Sequence, residues 1–212
     1  MLLTIQFDVK KINPLFLARK IKNIAYKLSI SRIRGFDLHL NSPDRIVLED
    51  TIFPYLVSCS NLQKVLFVGC DWYTQPYKKI FNNKEYWTIE INERNKKYGS
   101  KNHIVDRLQN LSNYVKSDYF DLIIYNGVFG FGTNTREDTE ESFKQCFQAL
   151  RKGGVLVFGW CDIPPYKPFP VIEECENLKK FEPYIFPPLS TSQYLTPNTE
   201  WRHTYNFYTK PK

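Results

Sequence analysis

Two strand ends constrain this chain more than any other feature. Lys64-Val65-Leu66-Phe67-Val68 has the pattern of a buried strand and stops on Gly69, while Trp87-Thr88-Ile89 forms a second strand that stops on Glu90. Gly69 and Glu90 stand 21 positions apart. An acidic residue about 20 positions beyond a strand-ending glycine is the spacing at which a doubly wound α/β sheet holds a ribose, because the carboxylate accepts from the sugar hydroxyls at the neighbouring strand's carboxyl end. The apolar runs at 65–68, 122–125 and 155–158 lack polar alternation, as expected of parallel strands covered by helices on both faces.

Helix signals fall between these runs. Phe143, Cys146, Phe147 and Leu150 recur at helical spacing, and Thr135 with Asp138 has the form of an N-terminal capping box. Arg151 and Lys152 suit the negative end of that helix, and Gly153-Gly154 are expected to stop it before Val155. Upstream, Asn13-Pro14 reads as a helix start, followed by Leu17, Ile21, Ile24, Ala25 and Leu28 on one face and Arg19, Lys20, Lys22 and Lys27 on the other. Arg32 and Arg34, expected in the loop beyond, are candidate anion-binding residues. Ser42-Pro43-Asp44 opens a shorter helix running toward Phe53, where Pro54 is expected to kink or end it.

Residues 161–200 hold eight of the chain's 13 prolines, so they cannot be mostly regular helix or central strand. They predict a rigid, irregular cover over the sheet. Thr204-Tyr205-Asn206-Phe207-Tyr208-Thr209 then reads as a closing strand, antiparallel and at or near an edge. The expected organisation is a helical cap over 1–60 belonging to the same domain, an α/β core over 61–160, and the proline-rich cover with its closing strand over 161–212.

Composition excludes some classes and leaves others open. No run approaches the 18 or more apolar residues of a membrane span, and the first thirty residues lack a secretory pattern. Cys59, Cys70, Cys146, Cys161 and Cys175 are odd in number and widely spaced, without a metal-ligand pattern. They are expected to be reduced thiols of a cytoplasmic protein. The net charge of +7 favours anionic partners without identifying them.

The order of Val65-Leu66-Phe67-Val68-Gly69, Thr88-Ile89-Glu90-Ile91, His103-Ile104-Val105-Asp106, Phe120 to Gly127 and Leu150 to Val157 resembles the class I S-adenosylmethionine-dependent methyltransferases. The resemblance spans roughly residues 60–160 and reappears weakly in the last strand. It implies a Rossmann-like methyltransferase fold, a mostly parallel sheet of about seven strands with an antiparallel closing strand, and S-adenosylmethionine as cofactor. It also implies roles for particular residues. Gly69 would lie under the methionine part of the cofactor, Glu90 would bind the ribose hydroxyls, and Asp106 would face the adenine amino group. Asn126 and Gly127 would border the transferable methyl. Where the family's first loop reads acidic-x-Gly-x-Gly-x-Gly, this chain has Phe67-Val68-Gly69-Cys70-Asp71-Trp72-Tyr73. Asp71 and Tyr73 must adopt a different turn or intrude on the cofactor. Cys70 and Asp71 join the expected cofactor-binding set, Asp71 through the cofactor's amino group, with Trp72 or Tyr73 facing the sulfonium.

Methyl transfer from a sulfonium rests mainly on positioning, but a hydroxyl acceptor profits from a base. His103 is the first candidate, with His203 and Asp162 behind it. Asn126-Gly127-Val128-Phe129 stands where amino methylation of DNA bases calls for Asp/Asn-Pro-Pro-Tyr/Phe. A small or mid-sized acceptor, anionic or nucleotide-linked and methylated at oxygen, therefore fits better than a nucleic acid duplex. A catalytically silent binding or scaffold protein, and an RNA or protein methyltransferase, are the alternatives.

Overall fold

The computed structural model describes residues 14–212, with side chains from residue 19. The expected N-cap Asn13 and the Leu17 side chain lie outside the described residues. The described residues divide into two units, the first ending at Asn41 and the second running from Ser42 to Lys212.

In the first unit, helix α1 (Pro14–Ser29) begins at the proline that presets its first φ. Strands β1 (Ser31–Arg34) and β2 (Asp37–Leu40) then pair antiparallel, with Gly35 at φ +61° in the turn between them. Arg32 and Arg34 thus belong to a hairpin strand, and the expected loop is absent.

The second unit opens with α2 (Pro43–Val47), a wide π turn over Leu48–Ile52, and α3 (Phe53–Ser58). Pro54 does not end this run. It sits in the first turn of α3, where its missing N–H costs little, and the π turn just before it lets Phe53 N–H bond back to Leu48 O. Then come β3 (Lys64–Val68), α4 (Tyr77–Ile80), β4 (Glu85–Ile89), β5 (Asn102–Ile104), β6 (Phe120–Asn126), α5 (Arg136–Ala149), β7 (Leu150–Cys161), α6 (Val171–Glu174), β8 (Glu182–Pro183), β9 (Gln193–Leu195) and β10 (His203–Thr209).

The strand order is β5-β4-β3-β6-β7-β10-β8, with β9 also on β10. Strands β3 to β7 run parallel, and β10 is antiparallel to β7. The fold is therefore doubly wound α/β with eight strands, one more than the approximate seven expected, and β10 is flanked outside by two very short strands. Alternate residues feed two cores. Val65, Phe67, Leu122, Ile124, Val155 and Val157 face Leu48, Ile52, Phe53 and Tyr77, while Leu66, Val68, Ile123, Tyr125, Leu156 and Phe158 face Leu108, Leu111, Phe143 and Cys146. Burial on both faces is why these strands carry no polar alternation.

Helix α5 starts as its sequence suggests, with Thr135 Oγ1 accepting from Asp138 N at 3.1 Å. It ends earlier. Leu150 already pairs with Phe120 as the first residue of β7, and the register shifts before Leu122 meets Val155. Arg151 consequently bonds Asp121 and does not serve the helix end. Gly153 takes φ +68° within the irregular start of β7. Among the described residues no helix is long and apolar enough to cross a membrane.

Candidate functional site

The carboxyl ends of β3, β4, β5 and β6 open onto one crevice of about 290 Å³. Its walls include Gly69, Cys70, Asp71, Glu90, Asp106, Asn126 and Gly127, with Tyr73, Asn95, Val128, Phe131 and Thr133. The seven residues of the expected cofactor-binding set thus share one cavity. Position follows from topology, since parallel neighbouring strands bring the loops after them to the same side of the sheet.

The first loop closes with one glycine. Gly69 takes φ +84°, a region that costs an L-residue about 1–2 kcal/mol, and a Cβ there would lie 2.9 Å from Val128 Cγ2. After it the chain needs no further glycine, because Asp71 is extended and caps a single turn over Trp72–Thr74. Its Oδ1 accepts from Trp72 N at 2.6 Å, and Thr74 Oγ1 accepts from Asp71 N at 3.1 Å. Glu90 pins the same loop. Its Oε2 accepts from Cys70 N at 3.0 Å and its Oε1 from Asn92 N at 2.8 Å, while Asn95 Nδ2 donates to Cys70 O at 2.8 Å. A carboxylate offers about four lone-pair sites, so Glu90 keeps two for a ligand.

Asp106 is more fully engaged. It accepts from Arg107 N at 2.7 Å, Asn110 Nδ2 at 2.9 Å and Tyr114 Oη at 2.9 Å. The Asn110 bond leads in holding its pKa below the ordinary aspartate value. The buried thiol of Cys70 is pushed up to about 12, first by desolvation and then by Glu90. It lines the crevice as an uncharged, unreactive group.

The candidate bases fall elsewhere. His103 is not in the wall of the crevice: its Nδ1 lies 2.7 Å from Thr88 Oγ1, and its ring packs where a Cβ on Gly99 would stand. Desolvation lowers its pKa. Asp162 is bonded to Lys167 Nζ at 2.7 Å. His203 is 3% exposed, with Nε2 3.0 Å from Asn126 Oδ1 and Nδ1 3.6 Å from Cys161 Sγ. Burial drives its pKa down to about 4, so it is neutral near pH 7. With Nε2 as the protonated nitrogen it donates to Asn126. Gly159 makes this possible, since a Cβ there would collide with Asn126 Oδ1.

Sequence reasoning missed Arg45, which lies beside the crevice with its Cζ 4.9 Å from the Tyr73 ring centroid. Its sequence context signals only a helix start. No local pattern links it to Gly127, whose absent Cβ leaves Arg45 Nη2 its place. Phe131 was also missed. It stacks on Tyr166 of the proline-rich cover at 4.7 Å and 18°.

Comparison with protein-family models and with curated proteins finds no match. Solved structures do match. The chain is similar to a TehB-like SAM-dependent methyltransferase from Corynebacterium glutamicum, with TM-score 0.58 and 16% identity over 93% of this chain and 100% of that one. It is similar to the N-methyltransferase NodS from Bradyrhizobium japonicum, with TM-score 0.56 and 14% identity over 76% and 94%. A third is the 1,6-didemethyltoxoflavin-N1-methyltransferase of Burkholderia thailandensis, solved with 1,6-didemethyltoxoflavin and S-adenosylhomocysteine, with TM-score 0.53 and 10% identity over 97% and 94%. At these identities the likeness establishes the fold, which is that of the class I methyltransferases.

Proposed function

We propose that this chain, built on the class I methyltransferase fold, is an S-adenosylmethionine-dependent methyltransferase. The observation that carries this reading is the convergence of Gly69, Glu90, Asp106, Asn126 and Gly127 on one crevice at the strands' carboxyl ends. Two solved structures of this fold, one of NodS and one of the 1,6-didemethyltoxoflavin-N1-methyltransferase, hold S-adenosylhomocysteine. The residues fit such a ligand. Glu90 has lone pairs left for a ribose diol, Gly69 presents backbone without a Cβ, and Asp71 leaves the loop open by folding back onto Trp72 N. The cofactor supplies a methyl group already activated on sulfur.

The protein's own work is then to bind, align and exclude water. Glu90 holds the sugar, and Asp106 borders the base. Asn126 and Gly127 flank the reacting end, and Phe131 with Tyr166 covers it. The acceptor is a small or mid-sized molecule methylated at oxygen. The crevice of about 290 Å³, near the lower end of the ~300–1,000 Å³ of small-molecule sites, is on the scale of the cofactor itself.

Calorimetric titration with S-adenosylmethionine, S-adenosylhomocysteine and NAD tests the proposal. Binding of the first two and not the third is expected. A protein that binds none of them, or prefers NAD, refutes it.

A further inference from the structure

A buried charged pair stands directly behind the crevice wall formed by Gly127 and Tyr73. Arg45 is 6% and Asp44 5% exposed, with Arg45 Nε 3.5 Å from Asp44 Oδ2. Arg45 Nη1 reaches Tyr77 Oη at 3.5 Å, and that hydroxyl donates to Glu49 Oε1 at 2.8 Å. Nη2 lies 3.2 Å from the point a Cβ on Gly127 would occupy, and it makes no hydrogen bond among the described residues. On the neighbouring residue, Asn126 Nδ2 is buried without a hydrogen-bond partner, as are Asp44 Oδ1 and Arg45 Nε, which meets Asp44 only through the ion pair. An unpaired buried polar group costs about 1–3 kcal/mol, and native proteins carry few of them without a reason. Here three fall on Asp44, Arg45 and Asn126, and Asn126 lines the crevice beside Gly127.

Charge decides what kind of group this corner can take. Two carboxylates, Asp44 and Glu49, surround one guanidinium, and His203 behind Asn126 is neutral. A phosphate or carboxylate on the acceptor would be carried toward net negative charge in a poorly solvated place. The oxygen of an uncharged carbonyl or hydroxyl meets no such penalty and can accept from Arg45 Nη2 and Asn126 Nδ2. Tyr73, Val128 and Phe131 give the crevice aromatic and apolar surface beside Asp71 and Thr133, and Phe131, 54% exposed, already stacks on Tyr166.

We propose that the crevice takes an uncharged, flat acceptor whose polar tip is an oxygen held by Arg45 and Asn126. This rests on the methyl-transfer reading and narrows it, replacing the anionic acceptor suggested by net charge with a neutral one. The test uses the full chain saturated with S-adenosylhomocysteine and titrated with benzamide, phenol and phenyl phosphate. Benzamide and phenol are expected to bind, and phenyl phosphate to bind at least about tenfold more weakly. The double variant D44N/R45M, which removes both members of the buried pair and leaves Glu49 with the Tyr77 hydroxyl, should weaken benzamide by about tenfold or more, with S-adenosylhomocysteine affinity kept within about twofold. Should that variant fail to fold, the side-chain amide signals of Asn126 in the unaltered protein decide, since they must shift on adding benzamide. Tighter binding of phenyl phosphate than of benzamide, an unmoved Asn126 amide, or undiminished benzamide binding in a folded double variant overturns the inference. Failure of S-adenosylhomocysteine itself to bind is a different result: it removes the methyl-transfer reading and this inference with it.

Discussion

Replacing Glu90 with alanine separates the carboxylate's two duties. In the folded chain Glu90 accepts from Cys70 N at 3.0 Å and from Asn92 N at 2.8 Å, so the substitution frees two backbone donors in a partly exposed site where water can replace the lost partner. The expected cost to folding is modest, about 1 kcal/mol. The proposed ribose contacts are hydrogen bonds to a charged group, worth about 1.5–3 kcal/mol, which is a loss of about 10- to 150-fold in affinity. Calorimetry with S-adenosylhomocysteine reads the second quantity and a thermal melt the first. Glu90→Gln keeps one accepting oxygen and should fall between wild type and Glu90→Ala. An affinity for S-adenosylhomocysteine within about twofold of wild type, in an E90A protein that melts normally, refutes the assignment of the sugar to this residue.

Two further outcomes follow from the buried pair at Asn126. Gly159→Ala drives a Cβ into Asn126 Oδ1 and to 3.0 Å from His203 Nε2, an overpacking that should destabilise the fold by about 1–3 kcal/mol, read as a drop of several degrees in Tm. His203 is held neutral by burial, with its pKa depressed from 6.5 to about 4. Stability linked to it is therefore present in full above pH 6.5 and lost as pH falls toward 4, by up to about 3 kcal/mol. His203→Gln, which keeps a donor and cannot titrate, should flatten denaturant-derived stability over that window; identical pH slopes for the two proteins would defeat the assignment.

The sheet was legible because its signal is local and strong. Strands buried on both faces must be apolar throughout, and Val65 to Val68, Leu122 to Tyr125 and Val155 to Phe158 leave no polar face for any other arrangement. Boundaries were less so. Leu150 continues the periodicity of α5 and Arg151 suits its negative end, yet β6 pairs with Leu150 and Asp121 claims the Arg151 guanidinium. Tertiary partners thus ended the helix before its glycines could. For a related reason Pro54 does not end the run: a proline is costly only where its N–H is needed, and the π turn before it accommodates the ring.

The site divides along the same line. Gly69 and Glu90 could be paired from spacing because both terminate neighbouring parallel strands, and their distance in sequence reflects one crossover. Arg45 and His203 could not. They reach Asn126 and Gly127 from the start of α2 and from the last strand, across separations that no local pattern encodes. The glycines missing from the first loop point the same way. A second and third glycine would be needed if the loop had to turn by positive φ throughout, but Asp71 caps its own short helix and Glu90 and Asn95 hold Cys70 from either side. Side-chain hydrogen bonds have taken over work that backbone freedom does elsewhere. Glu90 accordingly joins the loop's shape to the proposed sugar contact, so the stability and affinity changes of its variants should move together more closely in this chain than where glycines alone set the turn.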